Sequence, residues 1–325
     1  MQFRVISVVA SVIATASIFA CTTKVVTKAS EPSPESDAAA PEPEVEDAGV
    51  DEVLEGDAPQ CPGVGTPKTT ATITAADIAE TSGIVSSTFN KGIFWVHNDS
   101  GDLARAFAIN AAGELVATLA FDDAKPTDIE DIAIEDESPE KSNLYFGDIG
   151  DNGEERAELT IHRVTEPKLG PKAGATITAT SEKMRVVYSD GPHNAETLLF
   201  DPTTKELLIA TKKARGPSDI HRIGPFSPGT KVKTKKVASV DIDRATGGDI
   251  ARDGRYIAIR NYGKNAYLWV REPGESLAVA LGRKPCAAPM ASEDQGEAFG
   301  FLPGATGYVT LSEGASPQLH VASFK

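Results

Sequence analysis

From about residue 78 to the C-terminus, apolar positions come in blocks of roughly five residues rich in Val, Ile, Phe, Tyr and Trp. Gly, Asp, Asn, Ser and Pro punctuate them. Blocks of that length and composition predict short strands joined by tight turns, and no stretch sustains the 3.6-residue period of a long helix. Five blocks open alike: Glu80-Thr-Ser-Gly-Ile, Glu130-Asp-Ile-Ala-Ile, Glu196-Thr-Leu-Leu-Phe, Gly248-Asp-Ile-Ala-Arg and Glu297-Ala-Phe-Gly-Phe. Their starts are 50, 66, 52 and 49 residues apart. A second β-rich run follows each opening (94–98, 144–148, 208–212, 257–261, 308–312), and a third follows that (105–109, 159–163, 219–223, 266–270, 318–322). Fourth runs are expected at 115–121, 183–188, 236–242 and 277–281.

Four short strands repeated about every 50 residues are the pattern of a β-propeller blade. The fold class is therefore all-β, with five four-stranded blades. The fifth repeat lacks a fourth strand, and a strand-like run at 69–74 is unassigned. Placed outside the 318–323 run, it closes the last blade and covers two open edges. A sixth blade hidden in the long 130–196 repeat is the alternative. Cys61 and Cys286 both border this seam, so a Cys61–Cys286 disulfide is expected, with two free thiols as the other possibility.

The chain before the repeats reads differently. In residues 1–21, Arg4 precedes an apolar run, 5–20, too short to span a membrane, so this is a signal peptide. Its ending, Ile18-Phe19-Ala20-Cys21, resembles a bacterial lipobox, which implies lipidation at Cys21. Phe19 departs from the small residue usual there. Thr22 in place of Asp implies, by the same resemblance, the outer membrane of a two-membrane bacterium. Residues 22–60 hold eleven acidic and two basic residues among Ala, Pro and Ser, without apolar period. Such a stretch reads as a disordered tether of roughly 35 Å end to end, leaving 61–325 as the propeller domain. The whole chain carries 32 Lys+Arg against 47 Asp+Glu, a net charge of -15, which argues against nucleic acid as a partner. A monomer is expected.

The repeat also points to chemistry. Residues that open innermost strands, and the loops between second and third strands, face the same end of a propeller's channel. Glu80, Glu130, Glu196, Asp249 (beside Gly248) and Glu297 are thus expected around one mouth as candidate metal ligands. Asn98, Asp99, Asp148, Lys212, Arg260 and Glu313 are expected on the same rim as binding residues. Clustered carboxylates require a counter-charge or protons. A hard cation such as Ca2+ suits an all-oxygen donor set, and pairing with lysine and arginine is the alternative. Glu130, Glu196 and His193 are the weak catalytic candidates. The sequence has no G-x-S-x-G elbow, H-E-x-x-H, P-loop or cysteine cluster.

Glu-Thr-Ser-Gly-Ile at 80–84, His-Asn-Asp-Ser-Gly at 97–101, Asp-Ile-Glu-Asp-Ile-Ala at 128–133, Gly-Asp-Ile-Gly-Asp-Asn at 147–152 and Gln-Gly-Glu-Ala-Phe at 295–299 resemble segments of the bacterial secreted propellers grouped as phytase-like or esterase-like. That resemblance spans about 78–325. It implies a channel mouth that binds calcium and phosphate esters, although the catalytic pattern is matched only in part. Two functions follow. One is an envelope-anchored lipoprotein, held to the membrane by its lipid, that uses a calcium-bearing face to bind a protein, a glycan or a small anionic ligand. The other is a calcium-dependent phosphate-ester or carboxylic-ester hydrolase.

Overall fold

The structure is a computed structural model and describes residues 59–121, 125–262 and 265–325. The 1–21 leader with Cys21, and residues 22–58 of the acidic stretch, lie outside the described residues. Strand β1 (Lys68–Thr72) precedes the first blade, β2 (Thr81–Ser86), β3 (Ile93–Asn98), β4 (Arg105–Asn110) and β5 (Leu115–Phe121). Blade two is β6 (Ile129–Ser138), β7 (Lys141–Asp148) and β8 (Leu159–Thr165), then, after β9 (Ala175–Ala179), β10 (Glu182–Val187). Blade three is β11 (Ala195–Asp201), β12 (Glu206–Thr211) and β13 (Ser218–Gly224), then, after β14 (Lys231–Lys233), β15 (Lys235–Val240). Blade four is β16 (Ala245–Ile250), β17 (Tyr256–Asn261), β18 (Ala266–Val270) and, beyond the one-turn helix α1 (Leu277–Leu281), β19 (Cys286–Ala288). Blade five is β20 (Gly296–Phe301), β21 (Gly307–Ser312) and β22 (Gln318–Ser323), completed by β1, which pairs antiparallel outside β22.

The protein is a five-bladed β-propeller. The count is fixed by packing: the buried side chains form five apolar clusters, each filled from two neighbouring blades. Tyr145, Leu198 and Phe200 join blades two and three, Leu199, Ile259 and Trp269 join three and four, and Trp95, Leu119 and Phe146 join one and two. Ile84, Phe107 and Leu311 join five and one, and Tyr256, Phe299 and Tyr308 join four and five. Burial of these faces drives ring closure, because a lone blade leaves both sides wet. The innermost strands β2, β11, β16 and β20 are buried at every position. Their small residues follow from crowding at the axis. A Cβ on Gly247 would lie 2.3 Å from the Glu297 carbonyl oxygen, and one on Gly300 2.6 Å from that of Ile84.

Three features differ from the sequence expectation. The long 130–196 repeat hides no sixth blade; part of it runs back to blade one, where β9 pairs parallel with β5. In the same way β14 pairs parallel with β10 of blade two. The 277–281 run is helical, because Ser276 accepts from the Val279 N–H as an N-cap and Leu-Ala-Val-Ala-Leu lacks turn formers; the fourth strand of that blade is β19. The disulfide is present: Cys61 and Cys286 are bonded with Cα atoms 5.7 Å apart. It ties the segment before β1 to the outer strand of blade four, across the seam.

Candidate functional site at the channel mouth

Each innermost strand carries a β-bulge at the same place. The register against the second strand slips between Thr81 and Gly83, Ile129 and Asp131, Ala195 and Thr197, Ala245 and Gly247, and Gly296 and Ala298. A bulge inserts one residue that opposes no partner and re-aims its side chain. The five inserted residues are Ser82, Glu130, Glu196, Thr246 and Glu297, all buried. Ser82 donates its hydroxyl to the Glu130 carbonyl, and Thr246 donates to that of Gly296 at 3.3 Å. These two therefore clip neighbouring blades together, while the three glutamates supply the ring's charge.

Two further loops complete the group. Asp99, in the turn after β3, has a carboxylate oxygen within 4.8 Å of one from Asp128 and one from Glu130. Another such trio is Asp99, Glu297 and Glu313. Asp99 is common to both, and its Oδ1 is buried without a hydrogen-bond partner among the described residues. Asp128 is positioned by Asp148, whose carboxylate accepts from the Thr127 and Asp128 N–H groups at 3.1 and 3.0 Å and from Arg156 at 2.8 Å. Gly150 leaves the space: a Cβ there would lie 2.2 Å from both Asp128 Oδ2 and Glu130 Oε1. One cation enters the cluster. Lys212 donates to Glu196 and lies 5.5 Å from the centre of the Tyr262 ring.

The electrostatics follow from this crowding. Burial first, then repulsion from Glu196, Asp99, Asp128 and Glu297, pushes the Glu130 carboxyl up to about 12. Glu297 rises to about 9 through burial, then Glu313 and Glu196. Glu196 is raised by burial to only about 7, because the Lys212 ammonium beside it opposes the shift. Burial disfavours the Lys212 ammonium, but Glu196, Glu297 and Glu130 outweigh it and raise its pKa. Burial also raises Glu313, which shares a hydrogen bond with Glu297 and one with Gln295. Without a counter-ion Glu130 and Glu297 hold protons at neutral pH; a divalent cation is the other way to relieve them. Oxygens within 4.8 Å of one another fall within reach of an ion with Ca–O bonds of about 2.4 Å. The donor set, the unpartnered Asp99 oxygen and the Gly150 opening fit a hard cation.

Beside the cluster, a cleft of about 710 Å3 is lined by Lys212, Lys213, Arg215 and Arg244 against one carboxylate, Glu154, with His193 and Asn194 on its wall. Lys213 is paired with Asp219 at 2.6 Å. The cleft is basic where the channel is acidic, and Lys212 borders both.

The structure thus brings together Glu130, Glu196, Glu297, Asp99, Glu313 and Lys212. Glu80 does not join the ring: it precedes the inserted Ser82 by two residues and is exposed. Asp249 is not a mouth residue. It accepts from the Ile250 and Phe301 N–H groups at 2.8 and 2.9 Å, a strut between blades four and five, with Arg252 at 3.6 Å. Arg260 is fully buried, donating to Glu293 and to the Ala298 carbonyl at 2.7 and 3.1 Å, so it joins blades rather than meeting a ligand. Asn98 shapes its loop, accepting from the Ala79 and Glu80 N–H groups and donating to Asp77 and Asp102. His193 lies beside Asp190, Tyr188 and His221. Asp128 and Tyr262 were missed from sequence; Asp128 stood inside the quoted 128–133 motif, two positions ahead of Glu130.

No family model matches the sequence, and no curated protein matches it. Among solved structures the chain is similar to the soluble aldose sugar dehydrogenase (Asd) from Escherichia coli in its apo-form, at 10% identity and a TM-score of 0.48. The match covers 81% of this chain and 100% of that one.

Proposed function

We propose that the channel mouth is a calcium-assisted binding site for an anionic ligand, on a chain exported by the 1–21 leader and lipid-anchored at Cys21 in the outer membrane. The supporting observation is the adjacency of two opposite surfaces. Asp99, Asp128 and Glu130, and likewise Asp99, Glu297 and Glu313, bring carboxylate oxygens within a cation's reach of one another, and the neighbouring cleft presents Lys212, Lys213, Arg215 and Arg244. A ligand bearing phosphate or carboxylate would meet the cleft's cations at one side and a carboxylate-held Ca2+ at the other. The acidic 22–60 tether would hold the propeller away from the membrane. In this reading the chain is kin to the phytase-like and esterase-like propellers that its motifs resemble.

One observation favours hydrolysis as a second reading. Glu196, near 7, has the proton affinity suited to accepting a proton from water at neutral pH, and Lys212 beside it could hold a phosphoryl or acyl oxygen. Ca2+, when bound, would add charge stabilisation for that oxygen. The test is a panel of p-nitrophenyl phosphate and p-nitrophenyl acyl esters, with Ca2+ and with chelator, alongside calorimetric titration with Ca2+ and inorganic phosphate. Calcium-dependent phosphate binding without turnover supports the binding module. Turnover lost with chelator and in Glu196→Gln establishes the hydrolase. Absence of any Ca2+ binding refutes both.

A further inference from the structure

A different donor set lies beside the cleft, with His193 on its wall. Asp190 and His193 belong to the 188–194 connection entering β11, and His221 lies on β13, so the third and second blades meet here. One ligand atom from each of the three lies within 4.8 Å of the other two. Asp190 Oδ1 is 3.1 Å from His193 Nε2, close to the roughly 3.3 Å edge of a tetrahedron with metal bonds of 2.0–2.1 Å. The two imidazoles have centroids 5.4 Å apart, and Tyr188 meets both edge-on.

His221 carries the argument. It is 0% exposed, its Nδ1 lies 3.2 Å from Thr234 Oγ1, and its Nε2 is buried with no hydrogen-bond partner among the described residues. A buried polar atom left unpaired costs stability. A ring nitrogen fixed by an oxygen while the other stays free is the arrangement of a metal-ligating histidine. Lys236, the nearby cation, is engaged by Asp219 at 2.7 Å.

We propose that Asp190, His193 and His221 form a second metal site, for a borderline ion such as Zn2+. Two imidazoles and one carboxylate suit Zn2+ rather than Ca2+. The site shares none of the channel's carboxylates, so it goes beyond the calcium reading and stands or falls separately.

The experiment titrates the chelator-treated full chain with Zn2+ by calorimetry and with Co2+ by visible absorbance. One Zn2+ per chain and the d–d bands of low-coordinate Co2+ are expected. Asp190→Asn and His193→Ala, at partly exposed positions, should each weaken Zn2+ by more than the roughly 10–100-fold that losing an outer-shell partner costs, with the metal-free melting temperature unchanged. Glu130→Gln with Glu297→Gln should leave the Zn2+ titration intact. The proposal is overturned if the wild-type chain takes up no Zn2+, if Asp190→Asn and His193→Ala both bind it as the wild type does, or if the channel variant alone abolishes binding.

Discussion

Cation binding at the channel mouth should release protons, and the number is set by the carboxyls that hold them. Glu130, at about 12, and Glu297, at about 9, are protonated throughout pH 6 to 8 in the metal-free protein. A Ca2+ held by Asp99, Asp128 and Glu130 must displace the Glu130 proton, and one held by Asp99, Glu297 and Glu313 the Glu297 proton. Each displaced proton makes the apparent affinity of that ion rise about tenfold per pH unit. The sign is unambiguous: binding tightens as pH rises. Glu196, near 7, adds to the slope only towards the acid side. The assay is calorimetric titration with Ca2+ at pH 6, 7 and 8 in two buffers of different ionisation enthalpy, which counts protons directly. Glu130→Gln should abolish that slope for the ion held beside Asp99 and Asp128. The same groups bear on stability. Raised folded-state pKa values mean that the native state holds more protons than the unfolded chain above about pH 4.5. Metal-free stability should therefore fall as pH rises through that window towards the folded-state values, and Ca2+ should restore it. Affinity independent of pH, with no protons released, would refute the proton-held carboxylate cluster.

Other perturbations separate the parts of this design. Gly150→Ala places a methyl 2.2 Å from Asp128 Oδ2 and Glu130 Oε1; Ca2+ affinity should drop at least tenfold in calorimetry while the circular dichroism spectrum stays that of the wild type. Lys212→Met removes the ammonium that partners Glu196; phosphate binding should weaken and Ca2+ binding should not, as read by parallel titrations. Glu293→Ala strips the fully buried Arg260 of its carboxylate, and losing one member of such a pair costs roughly 3–5 kcal/mol, measurable by urea unfolding. Replacing both Cys61 and Cys286 by Ser opens a crosslink of sequence separation 225. Chain entropy puts the loss at up to about 5 kcal/mol, seen as a lower melting temperature equal to that of the reduced wild type.

Repeat period and strand length carried the fold, including the closing role of β1 and the Cys61–Cys286 link. They could not carry everything. Alignment of the openings placed Glu80 and Gly248 with the three glutamates, whereas the register puts Ser82 and Thr246 there. Matching the openings by their letters set Glu80 two residues before the inserted position and Gly248 two residues after it, and the register that fixes that position is invisible in a pattern of apolar letters. Strands β9 and β14 were hidden because each belongs in sequence to one blade and in space to the previous one. Arg260 read as a rim cation because its partner Glu293 lies 33 residues on, in the approach to another blade. Asp249 looked like a ligand because a carboxylate serving backbone N–H groups of the next strand is the same letter as one serving an ion.

The bulges explain why this mouth can be chemical at all. The innermost strands are packed so tightly that glycines stand where they touch, and a regular strand would offer the axis only residues already committed to blade contacts. One inserted residue per blade frees a side chain at a fixed depth, and five repeats set five such positions in a ring. Ser82 and Thr246 spend theirs on blade-to-blade hydrogen bonds, which leaves Glu130, Glu196 and Glu297 confronting one another with, among the described residues, the Lys212 ammonium beside Glu196. Three buried carboxyls and one cation do not balance when ionised, and hydroxyls at all five places would have cost less. An arrangement that fold stability disfavours, repeated at three equivalent positions, is relieved either by protons on Glu130 and Glu297 or by a cation from outside. The pH slope of Ca2+ affinity measures that imbalance.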